Sequence, residues 1–169
     1  MNIKKLIISS LLLAMGFILH EVSPPLFLGM RPDFLLSMMF ISIYITEDFK
    51  SSITIGIISG ILTAATTTFP GGQIPNLIDK IITCNFIYVF FKLTKNRMSS
   101  HIVMGFTSIV GTLISGSLFL GIALLLFSLP APFSVLFITV VLPACIINMA
   151  ATLLLFNIVN ISLKRLNNI

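Results

Sequence analysis

Long apolar runs, broken by very few charges, are the feature that most constrains how this chain can fold. Of its 169 residues, 57% are hydrophobic and 9% are charged, whereas a soluble globular domain carries about 25% charged residues. A helix that spans a bilayer needs about 20 predominantly apolar residues, with a range of roughly 17 to 25. The sequence therefore predicts an all-α, polytopic integral membrane protein rather than a soluble domain.

Charged residues, Gly-Gly pairs and prolines divide the chain into six apolar segments. These segments cover residues 3–20, 33–46, 51–69, 74–92, 101–127 and 133–163. The second is too short to span a bilayer alone, and Pro143 should kink the last. The first follows Lys4 and Lys5 as in a signal peptide, but it lacks a small-x-small cleavage site, so we expect a retained helix. We expect one transmembrane domain over residues 1–169, a six-helix bundle with broken or re-entrant outer loops.

The positions of the charged residues predict how the bundle is oriented. With six spans, both termini share one side of the membrane. The basic residues on that side are Lys4, Lys5, Lys50, Lys92, Lys95, Arg97, Lys164 and Arg165, and the opposite loops hold Arg31 alone. Because cytoplasmic loops are enriched in Lys and Arg, we expect cytoplasmic termini, a place in the cytoplasmic membrane and contact with lipid. The net charge of +5 then needs no nucleic-acid surface to explain it.

Five charged residues lie at or near the outer half of the membrane: Glu21, Arg31, Asp33, Asp79 and Lys80. Asp79 and Lys80 fall inside the fourth segment, about 8 Å from its outer end. An ionisable group at the centre of a helix costs roughly 2.5 to 3.5 kcal/mol, so such groups normally face the bundle interior and find partners. For any single residue, an ion pair that only orients helices is an equal alternative, for example Lys80 with Asp79 or Glu21.

Irregular backbone is predicted around these charges. Residues 23–33 contain two proline clusters, and residues 69–76 repeat that pattern before the fourth segment. Non-helical backbone at membrane depth is tolerated only where it is buried in protein or lines a cavity. Pro75 suits the start of a helix, which would place Asn76 and Asp79 on one face. Together these features predict an outward-facing site for a small, partly polar ligand.

An amino-acid zwitterion is one ligand that such a site would fit. Arg31 offers a planar fork for a carboxylate, and either Asp33 or Asp79 is a partner for an amine. An aromatic side chain would stack on nearby phenylalanine and methionine residues. The candidate binding residues are Arg31, Asp33, Gln73, Asn76, Asp79, Lys80, Glu21, Phe34 and Phe69, with further apolar lining from Phe17, Phe27, Met30 and Met38.

Two stretches resemble the bacterial tryptophan transport protein family. They are FLGMRPDFLLSMMF at residues 27–40 and TTTFPGGQIPNLIDK at residues 66–80. The block FPGGQIPN followed by Asp-Lys is the specific part, and the resemblance extends from the first helix to the last. That family is small, polytopic and similar to the substrate-binding components of energy-coupling-factor transporters. The resemblance implies tryptophan uptake, with a transmembrane coupling protein and ATPase subunits as partners.

Small residues on the helices have two expected roles. Transporters of the wider class use a first helix with small residues to meet a transmembrane partner, and here Ser10 and Ala14 form a small-xxx-small face. More regular stripes of small residues are expected to pack within the bundle. These stripes are Gly56, Gly60 and Ala64 on the third helix and Gly111 and Ser115 on the fifth.

Other functions stay open on the residues alone. A carrier driven by an ion or proton gradient would use an intramembrane carboxylate such as Asp79. An assembly subunit would bind no ligand. The small size of the chain and the absence of an internal repeat favour a binding subunit that leaves energy coupling to partner ATPases.

An intramembrane enzyme is the rival from another class. His20 and His101 fall at opposite ends of a hydrocarbon core about 30 Å thick, so they should not converge on one catalytic site. Both cysteines lie in apolar runs without metal-ligand spacing, and the sequence has no Gly-rich nucleotide loop. A mechanism that uses only the carboxylates of Asp33 and Asp79 stays open. We predict a transport protein, not an enzyme, with no metal and no cofactor.

Overall fold

The described chain is folded almost entirely into helices. The structure, a computed structural model, describes residues 3–24, 33–95 and 97–167. In chain order the helices are α1 (Ile3–Val22), α2 (Phe34–Thr46), α3 (Phe49–Thr66), α4 (Gln73–Thr94), α5 (Ser100–Leu126), α6 (Phe133–Leu136) and α7 (Leu142–Asn167), with a π-helical stretch at Phe137–Val141 between the last two. Among these residues, 5 helices are long and apolar enough to cross a membrane, Phe133–Arg165 being one of them. The expected all-α polytopic fold is confirmed.

The short helix α2 is the most enclosed helix of the bundle. Its 13 residues span about 20 Å, less than the hydrocarbon core of about 30 Å. Every residue from Leu35 to Ile43 is buried, because α1, α3, α4, α5 and α7 all pack against α2. A helix that is apolar on all sides is suited to such a central position. Because α2 is shorter than the core, it is too short to cross a membrane by itself.

Aspartates start two of the helices. Asp33 precedes α2, and its Oδ1 accepts a hydrogen bond from the Leu36 backbone N–H at 2.8 Å. Asp48 precedes α3 and accepts from the Ser51 N–H at 3.0 Å in the same way. Each carboxylate satisfies a backbone donor that the first helical turn leaves without a partner.

Glycines bring α3 into direct contact with α4. A Cβ atom built at Gly56 would lie 2.1 Å from the Cys84 Sγ, and one at Gly60 would lie 3.1 Å from the Leu77 backbone. Gly111 of α5 lies against α2 at similarly short range. These positions therefore require glycine for close helix approach, and the expected packing of these glycines within the bundle is confirmed.

The helix that contains Pro143 is irregular on the side preceding the proline. The kink expected there takes the form of the π-helical stretch, in which the Leu142 N–H bonds to the Phe137 carbonyl. Proline has no N–H, so the carbonyl of Thr139, four residues earlier, loses its usual donor. A π-helical turn is one of the recognised ways in which a helix accommodates such a break.

The connection between α3 and α4 is non-helical, as the sequence predicts. Helix α3 ends at Thr66, and residues 67–72 form turns. Gly71 has a positive φ of 73°, and the Gly72 N–H donates to the Phe69 carbonyl at 2.9 Å. The other predicted break, at residues 25–32, includes Phe27, Met30 and Arg31 and lies outside the described residues.

Candidate functional site

Three charged side chains from two helices meet inside the bundle. The Lys80 Nζ lies 2.6 Å from Asp79 Oδ2 and 3.8 Å from Asp33 Oδ2. The side chains of Lys80 and Asp79 are 4% and 1% exposed, whereas that of Asp33 is 25% exposed. The pair on α4 thus faces the bundle interior, as the cost of an isolated charge in lipid requires. Asp33, at the start of α2, is the accessible member of the cluster.

Hydroxyl groups complete the surroundings of Asp79. The Ser115 Oγ, on α5, donates to Asp79 Oδ2 at 2.8 Å and accepts from the Lys80 Nζ at 3.0 Å. The Thr83 Oγ1 donates to Asp79 Oδ1 at 2.9 Å. Both oxygens of this carboxylate are therefore hydrogen-bonded within the protein, which is how a buried charge is held without water.

Asp33 joins four helices through a different set of contacts. Its backbone N–H donates to the Asn148 Oδ1 on α7 at 2.8 Å. Its Oδ1 caps α2 and lies 4.0 Å from the His20 Nδ1, at the end of α1. Its Oδ2 is the oxygen that faces Lys80. One carboxylate oxygen thus serves the fold, and the other faces the charged cluster.

A layer of buried polar groups continues from this cluster into the bundle. The Asn148 Nδ2 donates to the Thr112 Oγ1 at 3.3 Å. The Thr152 Oγ1 donates to the Ser37 Oγ at 2.8 Å and lies 3.0 Å from the Ser108 Oγ. The layer links α2, α5 and α7 beneath Asp33, and its hydrogen bonds satisfy groups that would otherwise be costly to bury.

Several residues that the sequence placed in the site are not part of this cluster. Asn76 was expected to share a face with Asp79, but its Nδ2 donates to the Thr63 carbonyl of α3 at 3.5 Å. Its position in the first turn of α4 brings it against the neighbouring helix instead of the interior. Gln73 is exposed at the start of α4, and the Phe69 ring packs edge-to-face on Phe119 at a centroid distance of 5.3 Å.

The remaining predicted residues lie around Asp33 or outside the described chain. Phe34 follows Asp33 directly and packs partly buried against the core. Glu21 is exposed near the end of α1, one residue after His20. Arg31 lies outside the described residues.

The sequence reasoning missed the polar partners of the charged cluster. Ser115 was interpreted only as a small packing residue, and His20 only as a histidine too far from His101 to form a catalytic pair. A signal was available on α5, where Ser108, Thr112 and Ser115 follow the i, i+4, i+7 spacing of one helix face in an otherwise apolar segment. Polar residues that share one face of a membrane helix predict an interior partner.

A second ion pair lies at the end of the bundle where α2 and α4 terminate. Glu47 accepts a hydrogen bond from the Lys95 Nζ, which also donates to the Tyr44 carbonyl at 2.9 Å and lies 3.8 Å above the Tyr44 ring. With Tyr88 and Phe91 these residues line a cavity of about 220 Å³. The hydrogen bond from Lys95 lowers the pKa of Glu47 below its ordinary value of 4.5. Glu47 is 54% exposed, so water screens this pair.

The described residues offer no cluster suited to a metal ion. Among them, no group of 3 or more His, Cys, Asp or Glu side chains converges. The His101 ring packs edge-to-face on Phe156, at a centroid distance of 5.5 Å, and His20 lies by Asp33. The charged cluster is thus built from carboxylates, an ammonium and hydroxyls, a set suited to binding small polar groups.

The fold and this cluster together define a polytopic helical membrane protein with a charged site enclosed by its helices. Comparison with known families then identifies the particular group. The chain belongs to the family described as Tryptophan transporter TrpP, whose model matches residues 2–164. Membership of this family places the chain among transport proteins.

Close relatives cover nearly the whole chain. A "Probable tryptophan transport protein" of Clostridium acetobutylicum is 50% identical over 164 residues, which are 97% of this chain and 96% of the relative. Proteins with the same name in Clostridium perfringens and Bacillus subtilis are 45% and 39% identical, over 97% and 98% of this chain and 95% of each relative. No solved structure matches the chain.

Proposed function

We propose that this chain mediates tryptophan uptake by binding the amino acid near the outer face of the membrane, with Asp33 as the partner of its ammonium group. The names of the family and of its relatives support tryptophan as the substrate. The observation that carries the site is the charge balance of the buried cluster. Among the described residues, two carboxylates, Asp33 and Asp79, face a single lysine ammonium, Lys80.

Asp33 is the carboxylate with room for a ligand. Its Oδ2 lies 3.8 Å from Lys80, beyond hydrogen-bond distance, and its side chain is 25% exposed. Among the described residues no hydrogen bond is donated to this oxygen, and an amino-acid ammonium would supply a charge-assisted donor there. Arg31, two residues earlier in the sequence, is the proposed partner of the substrate carboxylate because its planar fork binds carboxylates through two hydrogen bonds.

The indole ring needs apolar surface beside this polar contact. Phe34 follows Asp33 and packs partly buried against the core, whereas Phe17 lines a groove between α1 and α3. We assign Phe34 to the ring-binding wall, with Phe69 nearer the mouth of α4. Gln73, Asn76 and Glu21 belong to the entrance rather than to the buried contact, since each lies near the end of α1 or α4 that faces this site.

The surroundings of Asp79 support a binding subunit over a proton-driven carrier. An intramembrane proton site needs a carboxylate that can exchange its proton with water. Asp79 is 0% exposed and accepts hydrogen bonds from Lys80, Ser115 and Thr83. We therefore propose that energy comes from a transmembrane coupling protein with ATPase subunits, as in energy-coupling-factor transporters.

The outer surface of α1 offers a place for that coupling protein. Ser10 and Ala14 line an apolar groove of about 350 Å³ between α1 and α3. The Ser10 hydroxyl donates to the Leu6 carbonyl of its own helix at 3.0 Å, so it leaves no unsatisfied group in the groove. Small residues in such a groove permit close approach of a partner helix.

The positively charged end of the bundle is proposed to face the cytoplasm. Lys5, near the start of α1, acts electrostatically on Glu47, between α2 and α3, and Glu47 contacts Lys95, beyond the end of α4. These basic residues therefore gather at one end of the bundle. An excess of Lys and Arg at one end favours its retention on the cytoplasmic side.

Equilibrium binding of tryptophan to the purified chain tests the site. Asn caps helices about as well as Asp, so Asp33→Asn keeps the cap of α2 and removes the charge. We expect tryptophan to bind this variant about 10- to 100-fold more weakly, the usual cost of a lost charged hydrogen bond. Asp48→Asn, the same change at the α3 cap, should bind as wild type does. An assembly subunit would show no binding in any variant.

Uptake in cells tests the coupling surface. A double variant, Ser10→Phe with Ala14→Phe, should lose tryptophan uptake while the purified chain still binds tryptophan, because only the partner helix is excluded. Leu11→Phe is the matched control, since Leu11 is 61% exposed on α1 but does not line the groove. Normal uptake by the double variant, or uptake that follows the proton gradient in a host without the coupling module, would favour a solitary carrier.

A further inference from the structure

Lys80 occupies the space between the two carboxylates in an unsymmetrical way. Its ammonium lies 2.6 Å from Asp79 Oδ2 and 3.0 Å from the Ser115 Oγ, but 3.8 Å from Asp33 Oδ2. The two shorter contacts are hydrogen bonds, and the longer one is not. Lys80 is thus held on the far side of the cluster, although Asp33 is the next carboxylate within reach.

Asp79 and Ser115 together hold the ammonium in that position. Ser115 accepts from Lys80 and donates to Asp79, which closes a triangle of short contacts among the three side chains. Thr83 fixes the other oxygen of Asp79 from one turn further along α4. All three residues are buried, at no more than 4% exposure, so water has little access to these bonds.

The chemistry of Lys80 matches that of the proposed substrate. A lysine ammonium and an amino-acid ammonium are both primary cations with three donors. Asp33 Oδ2 is the oxygen that either of them would take. A shift of Lys80 by about 1 Å toward Asp33 would bring that pair from 3.8 Å to hydrogen-bond distance and would occupy the oxygen needed by a ligand.

We propose that Lys80 is an internal competitor for Asp33, and that Asp79 and Ser115 are positioning residues that keep Lys80 off this carboxylate so that a substrate ammonium can bind. This inference rests on the proposed function, because it assigns roles within the same site. Asp79 then affects binding without touching the substrate. The alternative, in which Asp79 itself contacts the substrate ammonium, would add a fourth donor to a carboxylate that already accepts from Lys80, Ser115 and Thr83.

A charge-compensating double variant separates these two roles. In Asp79→Asn, Lys80 loses its closest carboxylate and should move onto Asp33, so tryptophan should bind the purified protein at least about tenfold more weakly. Adding Lys80→Met removes the competitor and leaves no unpaired charge at the pair. The double variant should therefore recover affinity to within a few-fold of wild type, and its thermal midpoint should rise above that of Asp79→Asn.

Each outcome decides the inference. A double variant that binds as weakly as Asp79→Asn, while wild type binds tryptophan, would show that Asp79 contacts the substrate and would overturn this inference alone. If Asp79→Asn bound tryptophan as tightly as wild type does, Lys80 would not compete for Asp33, and this inference alone would again be overturned. A wild-type chain that binds no tryptophan would overturn the proposed function, and the inference with it.

A milder variant covers the case in which Asp79→Asn does not fold. Ser115→Ala removes one of the two groups that hold Lys80 and keeps the charges of the pair. It should weaken tryptophan binding by a few-fold at a normal level of folded protein. Ser117→Ala is the control, because within the described part of the chain the Ser117 hydroxyl donates to the Leu113 carbonyl of its own helix, at 2.6 Å. Equal binding by both serine variants would overturn the inference.

Discussion

Two ion pairs among the described residues, Lys80 with Asp79 and Lys95 with Glu47, use the same chemistry in opposite surroundings. Lys80 and Asp79 are 4% and 1% exposed, at the proposed binding end, whereas Lys95 and Glu47 are 27% and 54% exposed, at the other end of the bundle. Removing one partner of a buried pair leaves an uncompensated charge, whereas an exposed pair exchanges its contacts with water. The comparison teaches that the burial of an ion pair, rather than its presence, decides how much its lysine contributes to the stability of the fold.

Matched substitutions at the two lysines should show the largest difference. Lys80→Met leaves Asp79 buried without its cation and should lower the free energy of unfolding by about 3 to 5 kcal/mol. Lys95→Met should lower it by about 0 to 1 kcal/mol. Thermal or denaturant unfolding of the purified protein in one detergent measures both. Equal losses of unfolding free energy in Lys80→Met and Lys95→Met would contradict the difference between the buried and the exposed pair.

The hydroxyl of Ser115 should account for the next largest effect. Hydrogen bonds to charged groups contribute about 1.5 to 3 kcal/mol, and Ser115 makes one to each member of the buried pair. Ser115→Ala should therefore destabilise the protein by an amount in this range, measured by unfolding as above. Ser117→Ala, two residues away, should stay within about 0.5 kcal/mol of wild type. A loss no larger than that of the control would show that Lys80 and Asp79 do not need the hydroxyl.

The packing behind the buried pair gives a somewhat smaller effect. A methyl group at Gly56 would lie 2.1 Å from the Cys84 Sγ and 3.2 Å from the Lys80 carbonyl oxygen. Gly56→Ala should cost about 1 to 3 kcal/mol through overpacking between α3 and α4. Gly121→Ala is the control, since no packing neighbour among the described residues lies within 4 Å of its added methyl group, and it should be neutral or stabilising. Similar results for both glycines would contradict the close approach of the two helices.

The exposed pair should produce the smallest effect, and that effect should depend on pH. Because Lys95 lowers the pKa of Glu47 from its ordinary value of 4.5, the unfolded chain binds that proton more tightly than the folded chain does. The stabilisation is therefore fully present above about pH 4.5 and is lost as the pH falls through the lowered pKa. Wild type should exceed Glu47→Gln by at most about 1 kcal/mol at neutral pH, and less in about 1 M salt. If the stability difference between wild type and Glu47→Gln grew as the pH fell, the predicted direction of the pH dependence would be wrong.

The sequence could predict the bundle because the relevant signals are local. Apolar segment lengths define the helices, and prolines and glycines define the breaks, as at residues 67–72. The pairing of Lys80 with a carboxylate could also be predicted, since lone charges in lipid seek partners. The partners themselves depend on contacts distant in sequence. Ser115 reaches Asp79 from another helix, and Asn148 reaches Asp33 from α7.

The role of each carboxylate needed the structure for the same reason. Asp33 and Asp79 were equal candidates for binding the substrate ammonium, because the sequence predicts both near the same end of the bundle. Only the three-dimensional contacts separate them, since Asp79 is buried and accepts from Lys80, Ser115 and Thr83, whereas Asp33 is partly exposed and keeps one oxygen facing the cluster. Asn76 was expected beside Asp79 but contacts α3 instead. Close packing of α3 and α4 places the Thr63 carbonyl within reach of its amide group.

The most direct measurement of the central claim changes the ligand as well as the protein. Indole-3-propionate has the ring and the carboxylate of tryptophan but lacks the ammonium, so it cannot use the Asp33 carboxylate. Binding of both ligands to wild type and to Asp33→Asn should show tryptophan weakened about 10- to 100-fold by the substitution and indole-3-propionate unchanged or slightly tighter. Equal weakening of both ligands, or no weakening of tryptophan, would contradict the assignment of Asp33 to the substrate ammonium.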